Sequence, residues 1–243
     1  MRMSGVGAAH LGLGVLWLRV GILALLAVFL VQGPAEAASA KVVHHGPRTS
    51  GGVALTFDDG WGQESCEQIS QTLRRMNATA TFFINGVHLR AEPKRWRRIL
   101  KDFPVANHTR SHPFLTRVSK TKIRTQLRTN QWIHQEVLGR PMLKLLRPPY
   151  GAYDSRVLKV AARWGYKKVV LWSHSAADTS PRATVSSIIR HTTGAPRGSI
   201  ILMHCARGIT AQALPAIIRH YKRRGIRLIG LDEMFRMGEY APR

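Results

Sequence analysis

Acidic side chains are scarce in this sequence of 243 residues. Asp and Glu together number 13 against 37 Lys and Arg, which gives a formal net charge of +24 at pH 7. A chain this basic attracts polyanions, and in the cytosol the first candidate would be nucleic acid. An exported protein would instead meet anionic cell-wall polymers, acidic lipid headgroups or acidic glycans. Charge alone therefore supports a polyanion-binding protein, and the destination of the chain decides which polyanion it meets.

Cysteine is also scarce. The sequence contains only Cys66 and Cys205, so it allows one intramolecular disulfide at most. Outside the cytosol the two could be joined. Two free thiols fit the sequence as well, because sequence separation does not give the distance between the two residues.

One long apolar run, residues 11–31, lies near the N-terminus. A basic start, this hydrophobic centre and the small-x-small triplet AEA at residues 35–37 are typical of a secretory signal peptide. An uncleaved membrane anchor is the alternative, since the run is long enough to span a bilayer. Both alternatives carry the rest of the chain across a membrane. We therefore expect residues 1–37 to be a signal peptide or membrane anchor, 38–50 a linker and 51–243 one extracytoplasmic domain.

Strand-like and helix-like segments alternate about seven times after residue 50. The predicted strands cover residues 53–57, 80–84, 105–107, 143–146, 168–172, 199–203 and 226–229. This alternation predicts an α/β fold with a parallel sheet and crossover helices. Seven units suit a closed or nearly closed (β/α) barrel, and an open doubly wound sheet is the alternative. Either fold forms its active site at the carboxyl ends of the strands.

Residues capable of acid, base or metal chemistry follow five of these strands. They are Asp58 and Asp59 after the first strand, His108 and His112 after the third, Arg147 after the fourth, Ser173, His174 and Asp178 after the fifth, and His204 after the sixth. Because parallel strands end at the same edge of a sheet, we expect these side chains to meet.

The adjacent carboxylates of Asp58 and Asp59 need a compensating charge. Two carboxylates beside a core are costly unless a cation, a shared proton or an arginine neutralises them. His108 and His112 are four residues apart, a spacing that puts both imidazoles on one face of a helical turn. With one aspartate they would make a three-ligand site that leaves a position open, as catalytic zinc requires. The other aspartate would then be free to act as a general base.

Arg147 and His204 each have a functional and an ordinary interpretation. Arg147 could hold the spare carboxylate ionised and oriented, or it could form a surface salt bridge. His204 follows a buried strand and could protonate a leaving amine, or it could be a hydrogen-bonded core histidine.

Four sequence blocks occur in the order typical of one protein family. They are TFDDG at residues 56–60, NHTRSHP at 107–113, LRPPYG at 146–151 and IILMH at 200–204. With these blocks the chain resembles the NodB-type polysaccharide deacetylases, carbohydrate esterase family 4, over roughly residues 50–235. The resemblance implies a distorted (β/α)7 barrel with the substrate in an open groove, and makes residues 51–243 the catalytic domain.

The resemblance also implies the role of each site residue. Asp58 would be the catalytic base, Arg147 the residue that orients it, and His204 the acid for the leaving amine. The metal ligands would be Asp59, His108 and His112, usually for Zn²⁺, with Co²⁺ or Ni²⁺ in some members. On the substrate side, the backbone N–H of Tyr150 would bind the oxyanion together with the metal, Leu202 would line the acetyl pocket, and Trp172 would lie beside them.

One block departs from the family pattern. The family usually carries Asp-x-x-Asp-Trp after the fifth strand, whereas residues 175–179 of this chain are SAADT. Ser175 and Thr179 replace the first aspartate and the tryptophan, and Asp178 remains. In the family the first aspartate supports the acid histidine, so its replacement leaves the pKa of His204 undetermined by the resemblance. The missing tryptophan predicts a looser acetyl pocket. His174 is a weaker candidate to compensate.

The expected function is metal-dependent removal of N-acetyl groups from a peptidoglycan-like or chitin-like polysaccharide, with release of acetate. We expect a monomer in an anionic cell-wall environment, with no nucleic-acid partner, that contacts a membrane only through residues 11–31 if these are uncleaved. An O-acetyl esterase acting on xylan-like glycans and a catalytically degraded wall-binding homologue are the alternatives.

Overall fold

The computed structural model describes residues 39–205 and 207–236, so the predicted signal or anchor at residues 1–37 lies outside the described chain. The strands are β1 (Lys41–Val43), β2 (Gly52–Asp59), β3 (Thr81–Ile84), β4 (Val105–Asn107), β5 (Leu143–Leu146), β6 (Lys168–Val170), β7 (His174–Ser175), β8 (Ile200–His204) and β9 (Arg227–Leu228). The helices are α1 (Gln63–Arg75), α2 (Gly86–Ala91), α3 (Pro93–Leu100), α4 (Lys120–Leu138), α5 (Ser155–Arg163), α6 (Val185–Thr193), α7 (Gly208–Arg223) and α8 (Leu231–Met234).

These strands form one curled parallel sheet with helices packed on its outer side. The strand order is β1-β6-β5-β4-β3-β2-β8-β7, and β9 pairs with β2. Every pairing between these nine strands is parallel. All seven predicted strands are present, and the barrel prediction is confirmed in the form of a curled half-barrel.

Two strands differ from the sequence prediction. Part of the predicted linker, residues 38–50, is strand β1, which pairs with β6. The strand predicted over residues 168–172 stops at Val170. The curled sheet is open between its two edge strands, β1 and β7, and the chain crosses this opening to form β7 beside β8. The connection crosses this opening: Leu171 N–H donates to the carbonyl of Val43 and Ser173 N–H to that of Ile200. A two- or three-residue edge strand is specified by its distant partner, which local propensity does not reveal.

Strand β2 lies at the centre of the fold and is buried along its whole length. Because side chains alternate across a strand, Val53, Leu55 and Phe57 pack in the cluster between the sheet and the outer helices. Ala54 belongs to the cluster inside the curl, and by the same alternation Asp58 points into that interior. Each fully buried Leu or Phe contributes about 1.5–3 kcal/mol, which helps offset the cost of the polar groups there.

Local signals fix the ends of the helices beside the site. The hydroxyl of Ser119 accepts a hydrogen bond from Lys122 N–H and caps the N-terminus of α4. Gly139, in the left-handed conformation, caps its C-terminus. The carboxylate of Asp154 caps the N-terminus of α5 in the same way as Ser119. Such caps contribute about 1 kcal/mol each. Among the helices of the described residues, none combines the length and apolar character needed to cross a membrane.

Cys66 and Cys205 form a disulfide. The bond joins the first turns of α1 to the residue that follows β8, and both cysteines are fully buried. Of the two alternatives that the sequence left open, the structure has the disulfide.

Candidate active site

Asp58 is held by a fully buried arginine. An Nη1 hydrogen of Arg147 is donated to Asp58 Oδ1 over 2.6 Å, and the same nitrogen lies 2.8 Å from the hydroxyl oxygen of Thr56. The other guanidinium nitrogens donate to the carbonyls of Val170 and Leu171. Arg147 has no solvent exposure, so the interpretation as a surface salt bridge is wrong. These bonds hold the guanidinium of Arg147 in one orientation. The guanidinium in turn fixes the position of the Asp58 carboxylate.

The carboxylate of the neighbouring Asp59 lies close to both histidines that follow β4. Its Oδ1 atom lies 3.2 Å from Nε2 of His108 and 3.2 Å from Nε2 of His112. Asp59 has φ of 78°, in the left-handed region that non-glycine residues rarely adopt. Regular alternation would send the two adjacent aspartates to opposite faces of β2. Both carboxylates nevertheless lie near His108, whose Nε2 is 3.8 Å from Asp58 Oδ2.

The two imidazoles do not share a helical turn, so that part of the prediction is wrong. Residues 108–112 form a loop in which Thr109 and His112 have φ of 70° and 60°. The loop is fixed by Asn107, whose side-chain oxygen accepts a hydrogen bond from Thr109 N–H, and by the hydroxyl of Thr109, which accepts one from His112 N–H. A non-helical loop therefore brings together the two histidines, whose ring centres are 5.1 Å apart.

Asp59, His108 and His112 are arranged so that they could hold a metal ion. One ligand atom from each lies within 4.8 Å of the others. Nδ1 of His108 lies 2.8 Å from the carbonyl of Arg147; a carbonyl only accepts, so Nδ1 carries the proton. In the neutral ring Nε2 then carries a lone pair that faces Asp59 Oδ1, a buried oxygen to which no group of the described residues donates a hydrogen bond. Two facing acceptors require positive charge between them, either as ring protons or as a cation.

Charge at this site also shifts the pKa of Asp59. Burial alone would raise it, but the two imidazoles 3.2 Å away, in the alternative in which their Nε2 atoms carry protons, outweigh burial and hold this pKa well below its ordinary range. Asp59 is thus ionised and able to serve as a ligand.

His204 is supported by Asp178. Its backbone N–H donates to Asp178 Oδ2 over 2.7 Å, and its Nδ1–H donates to Oδ1 over 2.8 Å. The hydroxyl of Thr210 donates to the same Oδ2 atom. Burial lowers the pKa of His204, but the Asp178 bond and the nearby carboxylates outweigh it and raise the pKa above its ordinary value.

Ser175 and His174 make other contacts, and Asp178 supports His204 in place of the missing first aspartate. The hydroxyl of Ser175 accepts a bond from Ala177 N–H in its own turn, and Nδ1 of His174 contacts the hydroxyl of Ser173. Asp178 is 1% exposed and makes the contact that the family pattern assigned to the position of Ser175.

The predicted substrate-side residues surround these groups. Strands β2 and β8 pair so that Leu202 is opposite Thr56 and His204 is opposite Asp58. Leu202 therefore lies on the same face of the sheet as His204, two residues before it. Tyr150 has φ of 61° and an exposed ring that meets the edge of the His112 ring, with centres 4.6 Å apart. Trp172 packs against Gly151, where an added Cβ would lie 3.0 Å from the indole.

Sequence reasoning missed two supporting residues. Thr56 bridges Arg147 and the carbonyl of Ile201, and it could have been found from the alternation that places it beside Asp58. Thr210 lies in the first turn of α7, and no sequence signal distinguishes it from an ordinary helix residue.

A comparison with protein families matches residues 45–169, just over half of the chain, to the polysaccharide deacetylase model. The chain belongs to the polysaccharide deacetylase family. A Bacillus cereus protein named peptidoglycan-N-acetylglucosamine deacetylase is 31% identical over 190 residues, which cover 76% of this chain and 88% of that protein. A Bacillus subtilis protein named peptidoglycan-N-acetylmuramic acid deacetylase PdaC is 32% identical over 184 residues, or 75% of this chain and 38% of that protein.

The fold of this polysaccharide deacetylase is similar to that of solved family members. One of them is a mutant of BA3943, described as a CE4 family pseudoenzyme with restored enzymatic activity. It superimposes with a TM-score of 0.75 at 25% identity, covering 81% of this chain and 71% of that chain. The NodB-type barrel is therefore confirmed. Because a pseudoenzyme shares it, the fold by itself does not establish activity.

Proposed function

We propose that this chain is an extracytoplasmic, metal-dependent deacetylase that hydrolyses the N-acetyl groups of peptidoglycan sugars. The observation that carries the proposal is the convergence, at one edge of the sheet, of three sets of groups. These are the Asp59–His108–His112 set, the Arg147-bound Asp58 and the Asp178-bound His204. The disulfide supports export, because such bonds persist in oxidising compartments.

Asp59, His108 and His112 would hold the metal. Two imidazole nitrogens and one carboxylate oxygen are a donor set that suits zinc, and three protein ligands leave a position open. His108 already donates its other ring N–H to a carbonyl, the usual second contact of a metal-binding histidine. When bound, a divalent ion supplies Lewis acidity, which lowers the pKa of water and polarises a carbonyl group.

Asp58 would accept the proton of the attacking water. Arg147 occupies Oδ1, and Oδ2 faces the metal-binding set, 3.8 Å from His108 Nε2. A general base must lie within reach of the proton that it removes, and this oxygen is directed toward the place where the water would attack. Arg147 and Thr56 keep the carboxylate from turning away.

His204 would protonate the amine as it leaves. Asp178 takes Nδ1, so the proton available for transfer is on Nε2. The raised pKa of His204 favours the protonated form that an acid needs. The backbone N–H of Tyr150 would stabilise the developing oxyanion, while Leu202 and Trp172 would contact the acetyl group.

A catalytically degraded homologue is the second candidate, and the replacement of two family residues by Ser175 and Thr179 favours it. The retained Asp178–His204 contact argues against it, because the acid histidine keeps a carboxylate partner.

The deciding experiment measures acetate release from N-acetylated peptidoglycan fragments, chitin oligomers and O-acetylated xylan. Each substrate is tested with native protein, after chelation, and after Zn²⁺, Co²⁺ or Ni²⁺ is added back. We expect release from the N-acetylated glycans that chelation abolishes and one of the metals restores. Metal-loaded protein that releases acetate from none of them is a degraded homologue, and release from xylan alone makes it an esterase.

A further inference from the structure

A row of stacked rings leads away from the metal-binding histidines to an arginine. The ring of Tyr150 contacts His112 edge-on, and its other neighbour is Phe114, stacked in parallel with ring centres 3.7 Å apart. The guanidinium carbon of Arg117 lies 4.5 Å from the centre of the Phe114 ring. Since Tyr150 covers one face of Phe114, the guanidinium takes the opposite face.

The backbone that carries Arg117 is fixed from a separate helix. The guanidinium of Arg156, in α5, donates to the carbonyls of Thr116 and Val118, the residues on either side of Arg117. Arg156 is itself paired with Asp154 over 2.8 Å. Asp154 and Arg156 both belong to the start of α5, so the short 3-10 helix Leu115–Arg117 has a defined place beside the site.

Arg117 has no acidic partner in the part of the chain that the structure describes. Within residues 39–205 and 207–236, its side chain makes the contact with Phe114 and pairs with no carboxylate. Arg117 is exposed. Stacking uses the flat face of a guanidinium and leaves its N–H edge available, the edge that binds a carboxylate through two parallel hydrogen bonds.

We propose that Arg117 is a substrate-binding residue that recognises a carboxylate on a sugar flanking the one being deacetylated. The ligand class is an acidic N-acetylated glycan such as a muramic-acid-containing strand whose lactyl groups bear no stem peptide and are therefore free carboxylates, as opposed to neutral chitin. This inference rests on the proposed deacetylase function and names a preferred substrate for it.

The test compares acetate release from two tetrasaccharides of equal length. One is a neutral N-acetylglucosamine oligomer, and the other is a peptidoglycan tetrasaccharide with free lactyl carboxylates. We expect the Arg117→Gln variant to lose about tenfold to a hundredfold in kcat/KM on the acidic substrate, mainly through KM, which is the range for one charge-assisted hydrogen bond. On the neutral substrate the change should stay below about twofold. Arg117→Lys should recover part of the loss, because lysine keeps the positive charge but lacks the two parallel N–H groups of a guanidinium.

Arg128→Gln is the matched control. Arg128, on α4, is another exposed arginine over an aromatic ring, 5.9 Å from the centre of Trp164, which is not part of the row of rings that begins at His112. Its replacement should leave both substrates unaffected. An equal loss on both substrates in Arg117→Gln, or no loss on either, overturns the inference.

Binding of the same tetrasaccharides to metal-loaded Asp58→Asn protein, measured by calorimetry, separates the two proposals. Tighter binding of the acidic strand that depends on Arg117 supports the inference even if the native protein releases no acetate. Absence of acetate release from both substrates overturns the proposed function, and equal binding of both strands overturns the role of Arg117 alone.

Discussion

The carboxylate of Asp178 bonds both the backbone N–H and the imidazole Nδ1–H of His204. The two bonds fix the position of the ring and its tautomer at once. The third donor to this carboxylate is the hydroxyl of Thr210. Both oxygens of the buried carboxylate therefore accept hydrogen bonds from protein groups and do not depend on water. The contact gives His204, the proposed acid, a carboxylate partner in a chain that lacks the usual first aspartate of the block.

Asp178→Asn should move the alkaline limb of the pH–activity profile to lower pH. His204 acts as an acid only while protonated, so activity falls as pH rises through its pKa. Burial lowers this pKa and Asp178 raises it; without the carboxylate, the proton is lost at lower pH. The measurement is kcat/KM for acetate release against pH. Ser175→Ala is the control and should leave the pH–activity profile unchanged. A shift of the profile in this variant would indicate that Ser175 contributes to the support of His204.

Arg147→Gln should destabilise the fold by about 3–5 kcal/mol, because it leaves the carboxylate of Asp58 buried without its charge partner. Unfolding in urea measures the loss. Arg227→Gln is the matched control, since Arg227 and Glu233 form an exposed pair with side chains 66% and 45% accessible, and such pairs contribute about 0–1 kcal/mol. Equal losses in the two variants would contradict the buried-pair account.

His112→Ala should abolish retention of the metal together with acetate release. It removes one of three ligand atoms, and the remaining two bind a divalent ion far more weakly. Metal content after gel filtration is measured by mass spectrometry, independently of activity. His174→Ala is the control, since its ring contacts Ser173 outside the metal-binding set. Full metal content in His112→Ala would exclude His112 as a ligand.

Reduction of the disulfide, or the Cys66→Ser variant, should lower the free energy of unfolding by about 2–5 kcal/mol. The bond closes a loop of 139 residues, and cross-linking distant residues restricts the unfolded chain strongly. Denaturant unfolding with and without reductant gives the value, and Cys66→Ser should show no further effect of reductant. An unchanged midpoint would contradict a disulfide in solution.

Much of the fold followed from local pattern. The seven main strands were predictable because a buried strand of a parallel sheet is a short apolar run ended by turn residues. Short strands at the opening of the curl were not: β1 and β7 exist because β6 and β8 present unpaired edges to them. Local propensity carries no information about such edges.

The sequence by itself determined the chemical groups of the candidate site, because Asp58, Asp59, His108, Arg147 and His204 all stand at the carboxyl ends of strands that run in one direction. Only the tertiary structure decided how those groups are held: Asp178 supports His204, a loop with left-handed residues brings His108 and His112 together, and the Phe114 ring separates Arg117 from Tyr150. Each of these contacts joins residues whose direction depends on backbone turns or on a distant element. Spacing along the chain fixes which strand end a residue occupies, but not where its side chain points.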